Sequence, residues 1–154
     1  MRCDHEGGPG ALDESARRLS HSELAVARVL VGEGHEVRSV PELPGRSKTA
    51  DLEVCGVPVE VKAILQRSER EQRPRARTVY NKLHRGTQQA DNVVLWSNGS
   101  GLRMADARAG VDLFRLRRGA EADWSVRVLG DGFDLRASKD QTLWVGRDAS
   151  RGIA

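Results

Sequence analysis

Aromatic residues, cysteines and long apolar runs are all scarce in this sequence. Phe, Trp and Tyr make up only 4% of the 154 residues, which disfavours a single-strand binder that stacks bases on aromatic rings. Cys3 and Cys55 stand far apart without a CxxC pair, so we expect neither a disulfide framework nor a cysteine-rich zinc site. No apolar run approaches the ~20 residues of a membrane helix, and no apolar stretch follows the N-terminus as a secretory signal would. A reducing, cytoplasmic setting fits best.

A large net charge is also missing. The 25 Lys and Arg residues are nearly balanced by 22 Asp and Glu, which leaves a formal charge of +3. Only four of the basic residues are lysines, so 21 are arginines; a GC-rich genome explains this bias as readily as phosphate binding does. Between Ile64 and Arg85, however, seven basic residues accompany two acidic ones. Nucleic acid is therefore indicated by the distribution of charge rather than by its sum.

The organisation of the chain favours one domain. This length can bury enough surface to fold without a metal or a disulfide. We predict a flexible N-terminal segment over 1–12, a single domain over 13–146 and a frayed C-terminus over 147–154. The order of elements predicts an α/β fold with a central mixed sheet flanked by helices. Hydrophobic periodicity predicts helices over 14–31 (with a late start near Ser20 or Ser22 as the alternative), 78–90 and 102–118, and strands over 35–40, 91–96, 124–129 and 142–145.

The clearest pattern is a hairpin over 49–64. Apolar and polar residues alternate on both sides of Gly56, so each set occupies its own face of the strands. With Gly56-Val57 as the turn, Glu53 would lie opposite Glu60; a one-residue slip would change such pairs but not the faces. The same turn would place Asp51 opposite Lys62. The polar face carries Asp51, Glu53, Glu60 and Lys62, and the apolar face carries Leu52, Val54, Val59 and Val61.

The polar face of this hairpin is a candidate catalytic surface. Neighbouring carboxylates repel one another unless a cation joins them, and Mg²⁺ is typically held by one or two carboxylates together with substrate phosphates. Asp51 and Glu60 come close enough across the hairpin to share such an ion. Lys62, on the same face, could orient the attacking water or stabilise charge on the phosphorus centre. The alternative is a solvated face with ordinary cross-strand charge pairs.

Asp51, followed after a short hairpin by Glu60-Val61-Lys62, resembles the signature of the PD-(D/E)XK nucleases, which have the restriction-endonuclease-like fold. Glu23, in the predicted first helix, matches the glutamate that this superfamily places early in the chain, while Ala50 stands where the signature commonly has proline. The blocks over 47–62 and 81–95 are similar, more particularly, to the C-terminal nuclease domains of contact-dependent growth-inhibition toxins. The resemblance covers about residues 19–96.

The resemblance implies a metal-dependent nuclease. Glu23, Asp51 and Glu60 would form the acidic metal site, with Mg²⁺ favoured and Mn²⁺ or Zn²⁺ as alternatives. Lys62 would be the catalytic lysine, and Gln89 would match the glutamine or basic position before the next strand, unless the preceding glutamine takes that role. The usual substrate of these toxins is tRNA, with DNA as the alternative. A toxin would also have an immunity protein as partner and would act in the cytoplasm of a target cell, whereas a housekeeping relative would not.

The basic stretch has two interpretations. Such runs are commonly solvated loops, but beside a phosphodiesterase site they become a clamp for the nucleic-acid backbone. The residues expected in that clamp are Arg73, Arg75, Arg77, Lys82 and Arg85. A non-catalytic nucleic-acid-binding module that kept the fold is the competing function, and it would bind in a salt-sensitive way without Asp51 and Glu60. A protein-interaction module is disfavoured, because interaction alone does not need this set of acids and lysine.

Overall fold

The computed structural model describes residues 8–45, 49–66, 68, 70–119 and 122–146, with the backbone alone for 142–146. This part of the chain forms eight strands and three helices. In chain order they are β1 (Ala11–Asp13), α1 (His21–Gly32), β2 (Glu36–Ser39), β3 (Leu52–Val54), β4 (Val57–Ala63), α2 (Ala76–Gly86), β5 (Asn92–Trp96), α3 (Met104–Arg118), β6 (Ser125–Gly130), β7 (Phe133–Ser138) and β8 (Thr142–Gly146).

The strands form one mixed sheet in which they lie side by side in sequence order. β1 runs parallel to β2, and β4, β5 and β6 are parallel to one another. The other neighbours are antiparallel. Each parallel connection contains a helix, as parallel strands require a crossover. The predicted α/β class, with a central mixed sheet flanked by helices, is confirmed.

The helices cover both faces of the sheet. α1 buries Val26, Ala27 and Leu30 against one face, in a core cluster that also contains Val94 of β5. α2 and α3 cover the opposite face, where the neighbouring residue Val93 belongs to the second core cluster. β5 is therefore buried on both sides, which explains its continuous apolar sequence. None of the helices in the described part of the chain is both long and apolar enough to cross a lipid bilayer.

The turn of the β3–β4 hairpin lies one residue earlier than predicted. Leu52 pairs with Val59, so the two-residue turn is Cys55-Gly56 rather than Gly56-Val57. The φ angles of Cys55 and Gly56 are 50° and 79°. Positive φ at both central positions is what a type I′ turn requires, and this turn matches the right-handed twist of the strands.

This register changes which polar residues face each other. Glu53 lies opposite Pro58, so its predicted pairing with Glu60 is wrong. One step beyond the last pair, Asp51 comes level with Glu60 rather than with Lys62. The two predicted faces are confirmed, because the four apolar residues of the hairpin are all buried in the core beneath α1: Leu52, Val54, Val59 and Val61.

The ends of the chain differ from the prediction. Ala11 and Leu12 were assigned to a flexible segment, but they belong to β1, which pairs with β2. Residues 1–7 and 147–154 lie outside the described residues, so the rest of those two predicted segments stays a prediction. β7 was not predicted at all. Its signal was the turn at Asp131-Gly132 followed by strict alternation over 133–137, and Gly132 indeed has a positive φ of 79°.

The first helix and the cysteines also need comment. α1 begins after the N-cap Ser20, which agrees with the late start and not with a start at residue 14. Cys55 is disulfide-bonded, a bond that the sequence analysis did not anticipate when it expected no disulfide framework. Cys3, the other cysteine of the chain, lies outside the described residues.

Candidate active site

Asp51, Glu60 and Lys62 meet on the polar face of the β3–β4 hairpin. Asp51 directly precedes β3, and its Oδ2 accepts a hydrogen bond of 2.9 Å from the backbone N–H of Val61. Lys62 Nζ donates to Glu60 Oε1 at 2.6 Å. Glu60 is only 4% exposed, and its Oε2 has no hydrogen-bond partner among the described residues. A buried carboxylate oxygen in that state is costly, so it is a candidate for binding a ligand.

The electrostatics of Asp51 agree with this geometry. Burial is the main reason that the pKa of Asp51 is raised from 3.8 to about 7. The hydrogen bond from Val61 opposes the increase, whereas the negative charges of Glu60 and Glu23 add to it. Arg17 Nη2 lies 3.6 Å from Asp51 Oδ1, but this contact does not offset the effect of burial and neighbouring carboxylates, so the carboxyl is short of positive charge. Such groups are common at functional sites.

Glu23 lies beside this pair, but it is engaged by other groups. Its Oε2 accepts hydrogen bonds of 2.8 Å from Arg17 Nη1 and from the backbone N–H of Ser20, and its Oε1 accepts one of 3.3 Å from Arg17 Nη2. Ser20 and Glu23 thereby form a capping box at the start of α1. Burial would raise the pKa of Glu23, but the hydrogen bonds from Arg17 and Ser20 outweigh it and lower the pKa. The Glu23 carboxyl is also hydrogen-bonded to Asp51.

Arg17 is the functional candidate that the sequence reasoning missed. Its guanidinium joins three parts of the chain: Glu23 of α1, the carbonyl of Val40 after β2 at 2.7 Å, and the carbonyl of Asp51 before β3 at 3.1 Å. No local signal distinguishes Arg17 from the other arginines. The capping-box spacing from Ser20 to Glu23 was the only feature of this region that could be recognised in the sequence.

Lys62 is held in place by α2. Gly86, the last residue of α2, lies so close to the sheet that an added Cβ would come 2.6 Å from Val93 and 3.4 Å from Lys62 Cγ. The stem of Lys62 therefore runs beneath the end of α2 towards Glu60. Gln89, three residues after α2, is half-buried, and among the described residues no hydrogen bond joins its side chain to the acidic residues. Its predicted catalytic role stays a prediction.

The basic residues divide between a groove and the surface of α2. Arg73, Arg75 and Arg77 line an open groove of about 700 Å³ that begins at Ile64, directly after β4. Lys82 is half-buried and Arg85 is exposed, both on α2. The strand that carries Glu60 and Lys62 thus leads into an arginine-lined groove of the kind that binds a phosphate backbone.

The residues of the site fit a divalent cation held by two carboxylates better than one surrounded by three or more. Within the described ranges, no group of three or more His, Cys, Asp or Glu residues is arranged to hold a metal ion, since Glu23 is directed at Arg17. Asp51 and Glu60 remain as a neighbouring pair: the pKa of Asp51 is raised although Arg17 lies 3.6 Å away, and Glu60 Oε2 has no hydrogen-bond partner among the described residues. Two carboxylates are the usual protein contribution to a Mg²⁺ site that substrate phosphates complete.

Comparison with known proteins gives one structural likeness. The chain is similar to a chain of a solved CdiA-CT/CdiI toxin and immunity complex from Burkholderia pseudomallei, with a TM-score of 0.54 and 19% sequence identity over 84% of this chain and 98% of that chain. At this identity the likeness shows a shared fold. No protein-family model matches the sequence, and no curated protein matches it.

Proposed function

We propose that this protein is a metal-dependent nuclease of the PD-(D/E)XK type and that its substrate is tRNA. The observation that carries the proposal is the Asp51–Glu60 pair. Glu60 is buried with one oxygen unpartnered, and Asp51 beside it has its pKa raised to about 7. A divalent cation would supply the missing partner of Glu60 and further positive charge beside Asp51.

The site residues of the hairpin have distinct roles in this proposal. Asp51 and Glu60 are the residues that would hold the ion. When bound, the ion would stabilise charge on the phosphodiester and increase the acidity of a bound water. Lys62 keeps its Nζ in contact with Glu60, where it would orient the water or stabilise developing negative charge. The Val61 N–H fixes the Asp51 carboxylate, so that little reorganisation is needed before reaction.

The arginine-lined groove supports a polynucleotide substrate. Arg73, Arg75 and Arg77 line the groove that begins at the end of β4. Guanidinium groups bind phosphate oxygens and so position the backbone without reading its sequence. The preference for tRNA over DNA comes only from the sequence resemblance to growth-inhibition toxins, and the fold shared with a chain of a toxin and immunity complex supports the likeness to that class of toxin.

The same likeness supports a role as a toxin domain. The solved relative is a complex of a toxin with its immunity protein. An immunity protein that binds this chain and blocks its cleft is therefore the proposed partner. To act as a toxin, this domain would have to be delivered into the cytoplasm of a target cell.

The test is cleavage of total tRNA and of plasmid DNA by the purified chain. Cutting should require Mg²⁺, Mn²⁺ or Zn²⁺, stop with EDTA and be lost in Glu60→Gln. Glu53→Gln is the matched control, because it removes a carboxylate from the same hairpin face outside the proposed site. If neither nucleic acid is cut with any of these metals, the proposal is wrong. Salt-sensitive binding that persists in Glu60→Gln without any cutting would instead support the non-catalytic binding module.

A further inference from the structure

The guanidinium of Arg17 contacts two of the three carboxylates of the site. Its Nη2 is 3.3 Å from Glu23 Oε1 and 3.6 Å from Asp51 Oδ1. An ion that bridged Glu23 and Asp51 would need their oxygens at about 2.0–2.1 Å if it were Mg²⁺. The cationic end of Arg17 therefore already contacts both of the carboxylates that such an ion would have to bridge, and these two carboxyls are also hydrogen-bonded to each other.

Arg17 is held there by more than the carboxylates. Its Nε donates to Val40 O at 2.7 Å, its Nη2 to Asp51 O at 3.1 Å and its Nη1 to Arg18 O at 3.3 Å. With the two bonds to Glu23, each of its three nitrogen atoms has at least one partner. A divalent ion would have to break this network to reach Glu23, and the freed guanidinium would give up its hydrogen bonds to Glu23 and to the half-buried carbonyl of Val40.

The net charge of the site residues also favours the binding of a single ion. Three carboxylates, from Glu23, Asp51 and Glu60, are accompanied by the cations of Arg17 and Lys62. The cluster therefore carries one net negative charge when every group is ionised. One divalent ion reverses that to one positive charge, which suits a phosphodiester. A second divalent ion would leave three positive charges close together, which is strongly unfavourable at low dielectric.

We infer that Arg17 takes the place of a second metal ion, so that the site holds one divalent ion bound by Asp51 and Glu60. Glu23 is then a positioning residue that acts through Arg17, and not a metal ligand as the family resemblance implies. This inference rests on the proposed function, but it makes a separate prediction, which is the number of ions bound per chain.

The experiment counts Mn²⁺ ions by electron paramagnetic resonance, without nucleic acid. The intact chain and Glu23→Gln should each bind one ion, because glutamine keeps the capping box and is not required as a ligand. Glu60→Gln should weaken Mn²⁺ binding by at least about tenfold. Arg17→Gln should bind two ions at millimolar Mn²⁺, and the spectrum should broaden because the two ions are close enough for magnetic coupling.

Three results would overturn the inference alone: two ions in the intact chain, no ion in folded Glu23→Gln, or a single ion in folded Arg17→Gln. If Arg17→Gln does not fold by circular dichroism, the intact chain and Glu23→Gln still decide the matter. One bound ion without cleavage of any nucleic acid would contradict the proposed function and leave the inference standing. Absence of Mn²⁺ binding in the intact chain would overturn both.

Discussion

Two buried charged clusters lie on opposite faces of the sheet, and they differ in how completely their charges are paired. Beneath α2, Glu60 has an oxygen without a partner and the pKa of Asp51 is raised to about 7. On the α1 side, Arg127 of β6 donates to Asp134 of β7 through two bonds of 2.9 and 2.7 Å, and to Glu33 after α1. Burial would raise the pKa of Asp134, but the bonds from Arg127 and Arg136 lower it.

The comparison separates structural charge from functional charge. Asp134 is as buried as many core residues, at 6% exposed, yet all the charge near it is compensated within the chain. The cluster around Asp51 and Glu60 is compensated less completely, because the three carboxylates of Glu23, Asp51 and Glu60 share the two cations of Arg17 and Lys62. The folded chain therefore keeps an unfavourable arrangement there. A protein retains such an arrangement where a ligand completes it.

The largest expected effect is on activity. Glu60→Gln should reduce nucleic-acid cleavage on the order of 10²–10³-fold, because it removes the charge that would hold the metal. The matched variant in the other cluster, Asp134→Asn, should leave the rate per folded molecule nearly unchanged. Initial rates with tRNA, corrected for the folded fraction, provide the measurement. Equal losses in the two variants would mean that the clusters do not differ in function.

The next effect is on stability. Arg127→Met leaves Glu33 and Asp134 without their shared cation, so we expect it to lower the free energy of unfolding by about 3–5 kcal/mol. Arg136→Met, which removes a half-exposed partner of the same acids, should cost less than about 1 kcal/mol. Urea unfolding of both variants is the measurement. If Arg127→Met lowered the free energy of unfolding only slightly, the ion pairs of Arg127 with Glu33 and Asp134 would not be important for stability.

The smallest expected effect is on the pH dependence of stability, and it has opposite signs for Asp51 and Asp134. The pKa of Asp51 is raised to about 7 in the folded chain, so the folded state keeps a proton that the unfolded state releases above about pH 4. Stability from this group therefore falls as pH rises from about 4 to 7. In EDTA at pH 8, Asp51→Asn should stabilise the chain on the order of 1 kcal/mol after allowance for solvent screening, or about 2–4 °C in Tm.

Asp134 is the control for that measurement. Its pKa is lowered, so its contribution is present above about pH 4, the ordinary range of an aspartate, and is lost as pH falls below it. Asp134→Asn should therefore lower Tm at pH 8, and the loss should shrink at acid pH. Thermal melts of both variants across this range decide the point. Asp51→Asn that melts below the unsubstituted chain at pH 8 would mean that the Asp51 carboxylate is already compensated.

The fold could be predicted where short-range periodicity determines it. The two faces of the β3–β4 hairpin follow from the alternation around Gly56, and this alternation held although the turn shifted to Cys55-Gly56. The shift depended on whether Cys55 could adopt a positive φ, which a propensity argument assigns to glycine or asparagine first. The sequence therefore could not predict that Asp51 lies opposite Glu60, but it did predict that both residues lie on the same face.

The rest of the site depends on contacts between distant residues. Arg17 reaches Val40 and Asp51, which are 23 and 34 residues away, and nothing near Arg17 marks it among 21 arginines. The Arg127 network spans 94 residues to Glu33. Such contacts follow from the order of strands in the sheet, which the sequence pattern does not contain.

The account depends on a divalent ion that binds at Asp51 and Glu60. The most direct measurement is the pKa of the Asp51 carboxyl, followed by carbon NMR on the labelled chain with and without Mg²⁺. Without the ion, the pKa should be about 7, and saturating Mg²⁺ should lower it to the ordinary aspartate range or below. An Asp51 pKa that does not change with Mg²⁺ would contradict the account.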